Sequence, residues 1–197
     1  MKLLVATGNQ GKAREIRRML GDLPYQIVTL ADLDNPPEVE ETGSTFLENA
    51  MIKAAAYSEF SGMLTLADDS GLVVDALDGA PGVYSARFAP TDDERIEKLL
   101  GMLEEVPDEK RTARFVCAMA LSNPTGEMNF RLGTVEGVII REKRGDGGFG
   151  YDPVFFVPEL KKTFAQITPE EKNAISHRAH ALAAFREKLA DYLKGKE

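Results

Sequence analysis

The chain has 197 residues, 43% hydrophobic and 28% charged, with a formal net charge of −8. This is ordinary globular composition, long enough for a sizeable core and with no apolar run near the ~20 residues of a membrane span, so it excludes a membrane-embedded or low-complexity chain. The acidic balance argues against a nucleic-acid-binding surface, and the single Cys117 excludes an intramolecular disulfide framework.

Lys2 to Ala6 reads as a short buried strand and not as part of a signal peptide, since the N-terminus has one early lysine and only a brief apolar run. Together with the composition, this predicts a cytoplasmic protein that does not engage membranes. Thr7-Gly8-Asn9-Gln10-Gly11-Lys12 is a turn, and Ala13, Ile16, Met19 and Leu20 then fall on one face of a helix. Tyr25 to Leu30 is a second strand, so the chain opens as an α/β unit. Ala31 to Gly43 is an acidic loop with Pro36-Pro37 and Glu38, Glu40 and Glu41. Thr45 and Glu48 have capping-box spacing, and the helix they start runs to about Ser61, where Gly62 stops it. Met63 to Ala67 is a strand that delivers Asp68 and Asp69 into a turn at Ser70-Gly71, followed by a second apolar run and the turn Gly79-Ala80-Pro81-Gly82. Thr91-Asp92-Asp93-Glu94 caps a helix whose Ile96, Leu99, Leu100 and Leu103 face inward. Arg111 to Ser122 and Met128 to Arg141 are long strands joined by the turn Asn123-Pro124-Thr125-Gly126, with Gly133 and Gly137 as bends or bulges in the second. This antiparallel portion makes the sheet mixed. Glu142 to Pro153 is a basic, then glycine-rich loop, and Val154 to Val157 is short and apolar. Thr168-Pro169-Glu170-Glu171 starts a helix, and Ser176 caps a last one with the stripe Leu182, Phe185, Leu189, Tyr192. No repeat or linker interrupts the chain, so residues 1–197 read as one domain.

Four clusters carry chemistry. Glycines between a strand and a helix let backbone N–H groups converge on an anion, and Lys12 adds a charge there; the spacing is neither that of a Walker A loop nor Gly-x-Gly-x-x-Gly. Asp68 and Asp69, with Glu40 and Glu41, would form a carboxylate group suited to a hard cation such as Mg2+, which keeps waters and binds phosphates. Taken alone, both acidic pairs read more readily as solvated loop residues than as a site. His177 and His180 lack zinc-like company, and no Gly-x-Ser-x-Gly elbow is present. Phe149 and Tyr151, beside glycines and Asp152, either stack on a base or belong to the core. Lys172, His177 and Arg178 lie at helix starts, where they either cap a helix or donate to a base edge; donors aimed at O6 would favour 6-oxopurines over adenine.

This ordered set resembles the inosine triphosphate pyrophosphatase family. The resemblance is carried by Thr7-Gly8-Asn9 with Lys12, Glu41-Thr42-Gly43 with Phe46, Glu48-Asn49-Ala50 and Lys53. It continues through Ala67-Asp68-Asp69-Ser70-Gly71-Leu72, Gly79-Ala80-Pro81-Gly82, Ser85-Ala86-Arg87, Gly147-Gly148-Phe149-Gly150-Tyr151-Asp152-Pro153 and Ser176-His177-Arg178. The resemblance implies a long curved mixed sheet flanked by helices in two lobes with a central substrate cleft, and a homodimer. It implies Mg2+-dependent hydrolysis of ITP, dITP and XTP to monophosphate and pyrophosphate, which would keep these nucleotides out of DNA and RNA. It implies phosphate binding by Thr7, Gly8, Asn9, Gln10, Gly11, Lys12 and Lys53, and metal binding by Glu41 and Asp69. Asp69 is also the implied proton acceptor and Ser70 an implied substrate contact. Phe149, Gly150, Tyr151, Asp152, Lys172, His177 and Arg178 are the implied nucleoside pocket. The rival readings are a non-catalytic nucleotide-binding regulator, a pyrophosphatase for pyrimidine or modified nucleotides, and a plain interaction domain.

Overall fold

The computed structural model describes residues 1–194. Strand β1 (Lys2–Ala6) leads through a short loop to α1 (Gln10–Met19) and then β2 (Gln26–Thr29). After the acidic loop come α2 (Phe46–Ser61), β3 (Leu64–Val74) and α3 (Asp92–Met102). The long strands β4 (Thr112–Ser122) and β5 (Met128–Ile139) follow, then the short β6 (Phe155–Val157) and β7 (Lys162–Thr163). Helices α4 (Pro169–Ile175) and α5 (His177–Lys194) end the chain. The strands form one seven-stranded mixed sheet in the order β2-β1-β3-β4-β5-β6-β7. β1 is parallel to β2 and β3, whereas β6 is antiparallel to β5 and β7.

The chain divides into two compact units. Unit 1 is Met1–Asp69, Cys117–Gly133 and Arg178–Glu197; unit 2 is Ser70–Val116 and Thr134–His177. Strands β3, β4 and β5 each contribute residues to both.

In unit 1 the sheet is covered on two faces, and side-chain alternation sorts its residues between them. Leu3 and Val5 of β1, Leu64 and Leu66 of β3, and Cys117, Met119 and Leu121 of β4 pack with Ile16 and Leu20 from α1 and its end, and with Leu182, Phe185 and Leu189 of α5. Leu4, Ala6, Ala67, Ala118 and Ala120 pack on the other face with Ala50, Ala54 and Tyr57 of α2. The stripes expected of α1 and α5 face the first of these clusters, with Ile16, Leu20, Leu182, Phe185 and Leu189 buried. Helix α2 starts at the expected capping box, with the Thr45 hydroxyl accepting from the Glu48 N–H at 3.1 Å.

In unit 2, Leu72 and Val74 of β3 pack with Ile96 and Leu99 of α3, Leu103, Phe115 of β4, Ile139 of β5, Phe155 of β6 and Phe164. The capping boxes at Thr91 and Thr168 form as the sequence implies.

Three details depart from the sequence reading. Ser70-Gly71 is not a turn: β3 continues through it for 11 residues, from Leu64 to Val74. Turn-forming residues are overridden here because the flanking apolar residues are sheet core. Gly137 does not interrupt β5; a Cβ there would lie 2.6 Å from the Phe155 ring, so the glycine admits a neighbour. β7 was not anticipated, since two residues carry no periodic signal.

Gly71 meets a similar constraint. A Cβ would stand 2.3 Å from the Ser85 hydroxyl oxygen and 2.6 Å from the Gly82 carbonyl oxygen, while the Ser85 Oγ accepts the Leu72 N–H at 2.9 Å. Gly71→Ala is therefore expected to cost about 1–3 kcal/mol of stability by overpacking, measured by urea unfolding; an unchanged midpoint would show that the Ser85 turn gives way freely.

Candidate active site

Asp68 and Asp69 are both buried, at 1% and 7% exposure. They are consecutive on β3, so their side chains leave the sheet on opposite faces. Each meets its own lysine.

On the α1 face, Asp68 Oδ1 pairs with Lys12 Nζ at 2.6 Å. Its Oδ2 accepts from Arg178 Nε at 3.2 Å and from the Cys117 thiol at 2.9 Å. Arg178 also donates to Glu15 of α1. Burial would raise the Asp68 carboxyl, but the Arg178 and Lys12 charges outweigh it and hold Asp68 well below the usual carboxylate range.

On the α2 face, Lys53 Nζ donates to Glu41 Oε1 at 2.6 Å and to Asp69 Oδ1 at 3.2 Å, so one ammonium joins two carboxylates. Burial works against the Lys53 charge, yet Asp69 and Glu41 prevail and its pKa is raised. Burial pushes the Asp69 carboxyl up; Lys53 and Lys12 oppose it and Glu41 and Asp68 add to it. Asn49 serves as a bracket. Its Nδ2 reaches Asp69 Oδ2 at 3.4 Å, and its Oδ1 accepts the Gly43 N–H at 2.8 Å, which holds the loop carrying Glu41 against α2. Glu40 is exposed on that loop.

The turn before α1 is built by Asn9, the helix N-cap, whose Oδ1 accepts from the Gly11 N–H at 2.8 Å and the Lys12 N–H at 3.1 Å. Two of the N–H groups expected to face an anion are thus taken by the cap. Thr7 Oγ1 accepts the Asn9 N–H at 3.2 Å. Gly8 is exposed, and a Cβ on it would meet nothing within 4 Å. Gln10 is exposed as the first residue of α1.

Among the described residues, no group of three or more His, Cys, Asp and Glu is placed to hold a metal ion. Two converging carboxylates already sharing a cation, Glu41 and Asp69, suit Mg2+ better than an all-protein cage would. That ion keeps several waters and completes its shell with substrate phosphates.

Unit 2 holds a second buried ion pair. Lys172 Nζ lies 2.5 Å from Asp152 Oδ2, with side-chain exposures of 5% and 3%. The same oxygen accepts the Phe149 N–H at 2.9 Å. Lys172 Nζ also stands 4.6 Å from the centre of the Phe149 ring. Gly148 has a φ of +75°, and a Cβ on it would fall 2.0 Å from Asp152 Oδ2, so the loop needs glycine there. The Gly150 N–H donates to Asp92 Oδ2 at 2.7 Å. Tyr151 is in the core, its hydroxyl donating to the Ser85 carbonyl at 3.0 Å, whereas Phe149 is half-buried. His177 stacks on Phe115 with ring centres 4.9 Å apart.

With this geometry in hand, the likeness to known proteins is specific. The Ham1 family model matches residues 3–188. The chain belongs to the Ham1 family. A dITP/XTP pyrophosphatase of Desulforamulus reducens is 55% identical over 185 residues, covering 92% of each chain. One from Exiguobacterium sibiricum is 51% identical and covers 98% of this chain and 99% of its own. Among solved structures, a HAM1 protein from Coxiella burnetii superposes with a TM-score of 0.87 at 44% identity, covering 97% of this chain and 99% of its own. The Staphylococcus aureus Ham1 protein gives 0.84 at 42% identity, with full coverage of both. Family membership agrees with the motif set read from the sequence, and the mixed helix-flanked sheet with the fold it implies.

Within this Ham1 chain, unit 1 holds two lysine–carboxylate groups on opposite faces of β3, Lys12 with Asp68 and Lys53 with Glu41 and Asp69, and Phe149, Asp152 and Lys172 come together in unit 2. Ser70 follows Asp69 on β3 and is half-buried. His177 and Arg178, adjacent in sequence, fall in different units, and Arg178 is held by Asp68 and Glu15. Sequence reasoning gave no role to Asn49, Glu15 or Cys117. Helical spacing could have found the first two: Asn49 is four residues before Lys53 on α2, and Glu15 is three after Lys12 on α1.

Asp152→Asn would remove the carboxylate that meets the buried Lys172 ammonium. The expected loss is about 3–5 kcal/mol of stability by denaturant titration, larger than that of Lys172→Met combined with Asp152→Asn. A single substitution no costlier than the double would show that the Lys172 charge finds another partner.

Proposed function

We propose that this chain is a nucleoside-triphosphate pyrophosphatase that hydrolyses ITP, dITP and XTP to the monophosphate and pyrophosphate. The observation that carries the reading is Lys53 joining Glu41 and Asp69, with Lys12 at Asp68 across the same strand. The names of the Desulforamulus and Exiguobacterium relatives support the substrate class. Residues 1–197 act in it as one catalytic domain, which works as a homodimer on the cytoplasmic nucleotide pool and keeps these nucleotides out of DNA and RNA.

Breaking the α–β phosphoanhydride requires charge to be neutralised on the departing pyrophosphate, and requires an oriented water and a base. Lys12 and Lys53 supply positive charge to the triphosphate, and the Thr7–Lys12 turn fits around it where Gly8 leaves open space. Asp69 Oδ accepts the proton of the attacking water. Mg2+, held by Glu41 and Asp69 with waters, would polarise the phosphate oxygens. Ser70 contacts the substrate beside Asp69. In unit 2, Phe149, Gly150, Tyr151 and Asp152 shape the nucleoside loop. Lys172 and His177 set the preference for a base carrying O6.

Pyrophosphate release from a panel of purine and pyrimidine triphosphates, with Mg2+ and after chelation, tests the reading. The expected order places dITP, ITP and XTP above ATP and the pyrimidines, with turnover lost on chelation. Binding of dITP without pyrophosphate release would make the protein a nucleotide sensor. Asp69→Asn is expected to lower kcat by about 10²–10⁴-fold, the span of general-base catalysis, with nucleotide affinity nearly intact; wild-type turnover would remove Asp69 from its role. His177→Ala is expected to narrow the ITP-over-ATP ratio about tenfold, the worth of one good base contact. An unchanged ratio would end the O6 argument.

A further inference from the structure

Asp68 takes no part in the scheme above, yet its side chain is wholly enclosed. Three elements send donors to it. Lys12 comes from α1 at 2.6 Å, Arg178 from α5 at 3.2 Å and Cys117 from β4 at 2.9 Å. The thiol and the guanidinium share Oδ2, which turns Oδ1 toward the Lys12 ammonium. An aspartate's terminal torsion is broad, so its rotation is set by partners such as these. A lysine ammonium is a point charge on a flexible four-carbon stem, and it acts from a defined place only when something fixes it. Cys117 otherwise sits among apolar neighbours, on the same face as Met119 and Leu121, where any small hydrophobic residue would fill the space. What separates position 117 from those neighbours is a donor aimed at a carboxylate.

We propose that Asp68 and Cys117 are positioning residues: the buried carboxylate, held in rotation by the Cys117 thiol, fixes the point at which the Lys12 ammonium meets the substrate's phosphates. The inference rests on the phosphate-binding role given to Lys12. Neither residue touches the substrate; both act through the lysine.

The test uses inorganic tripolyphosphate binding by calorimetry alongside dITP hydrolysis, in the full chain. Cys117→Ala is expected to weaken tripolyphosphate binding and raise KM by about fivefold, the worth of one hydrogen bond, with kcat within about twofold of wild type. Cys117→Ser, which restores a donor, is expected to recover most of that loss. Asp68→Asn is expected to lose about tenfold or more, since a charge-assisted bond to Lys12 goes as well. In a Lys12→Ala background, Cys117→Ala is expected to add less than about twofold, because the two act through one group. Cys117→Val keeps the volume without the donor and reads the same quantity where the alanine chain fails to fold. Wild-type binding in Cys117→Ala, no rescue by serine, or an equal loss with and without Lys12 would each overturn the proposal. A chain that shows the coupling on tripolyphosphate but cleaves no nucleotide would sink the pyrophosphatase reading and leave the positioning role standing. Cleavage of dITP without the coupling would do the reverse.

Discussion

The alternation of one strand governs the chemistry of unit 1. Because β3 runs straight through Asp68 and Asp69, two carboxylates that adjoin in sequence are sent to opposite faces of the sheet. On a common face they would repel, and one would be driven to hold a proton. On opposite faces each can be given a lysine of its own, Lys12 from α1 and Lys53 from α2. The two helices most involved in the site are therefore placed by the same pleat that sorts Leu66 to one core cluster and Ala67 to the other.

Burying these charges is unfavourable unless each is closely met. The effective penalty for a buried ion is several kcal/mol, and a pair breaks even only with good geometry and further hydrogen bonds. The structure supplies both. Asp68 has a lysine, an arginine and a thiol; Asp69 has a lysine and the Asn49 amide. Unit 2 uses the same device: Asp152 holds Lys172 and the Phe149 N–H with a single oxygen. A glycine loop would otherwise be free to sample many conformations. One buried carboxylate tied to a helix and to the loop's own backbone selects among them, and Gly148 is glycine because the carboxylate occupies the space a side chain would need.

Much of the fold was legible because it depends on short-range rules. The capping boxes at Thr45, Thr91 and Thr168 and the stripes of α1, α3 and α5 depend on spacing alone, and they form where spacing puts them. The misreading of Ser70-Gly71 shows where such rules stop. Serine and glycine favour turns locally, but Leu66, Leu72 and Val74 are all sheet core, and tertiary packing decides the backbone between them. The site was legible as a set of residue types and not as a set of partners. Nothing in the sequence says that Glu41 and not Glu40 reaches Lys53; that depends on Asn49 gripping Gly43 from α2. Nor does the sequence reveal that Tyr151 packs inward while Phe149 is half-buried, since both flank glycines in one loop.

Under the proposed function, the arrangement also reconciles an acidic protein with a polyanionic substrate. A net charge of −8 repels a triphosphate at long range, but salt screens charges beyond about 8 Å at physiological ionic strength, so only nearby groups count on arrival. Those nearby groups are lysines already matched by carboxylates. In such a cluster an incoming phosphate does not have to create a cationic pocket in an acidic surface. It exchanges with Glu41 and Asp69 for the Lys53 ammonium, which those carboxylates keep charged against burial and close at hand. In that reading Asp69 gives up part of its counter-charge as the phosphates draw on Lys53, and a carboxylate with less counter-charge binds a proton more readily. On this view the lysine–carboxylate pairs of the free protein hold the catalytic charges ready, and substrate redistributes them.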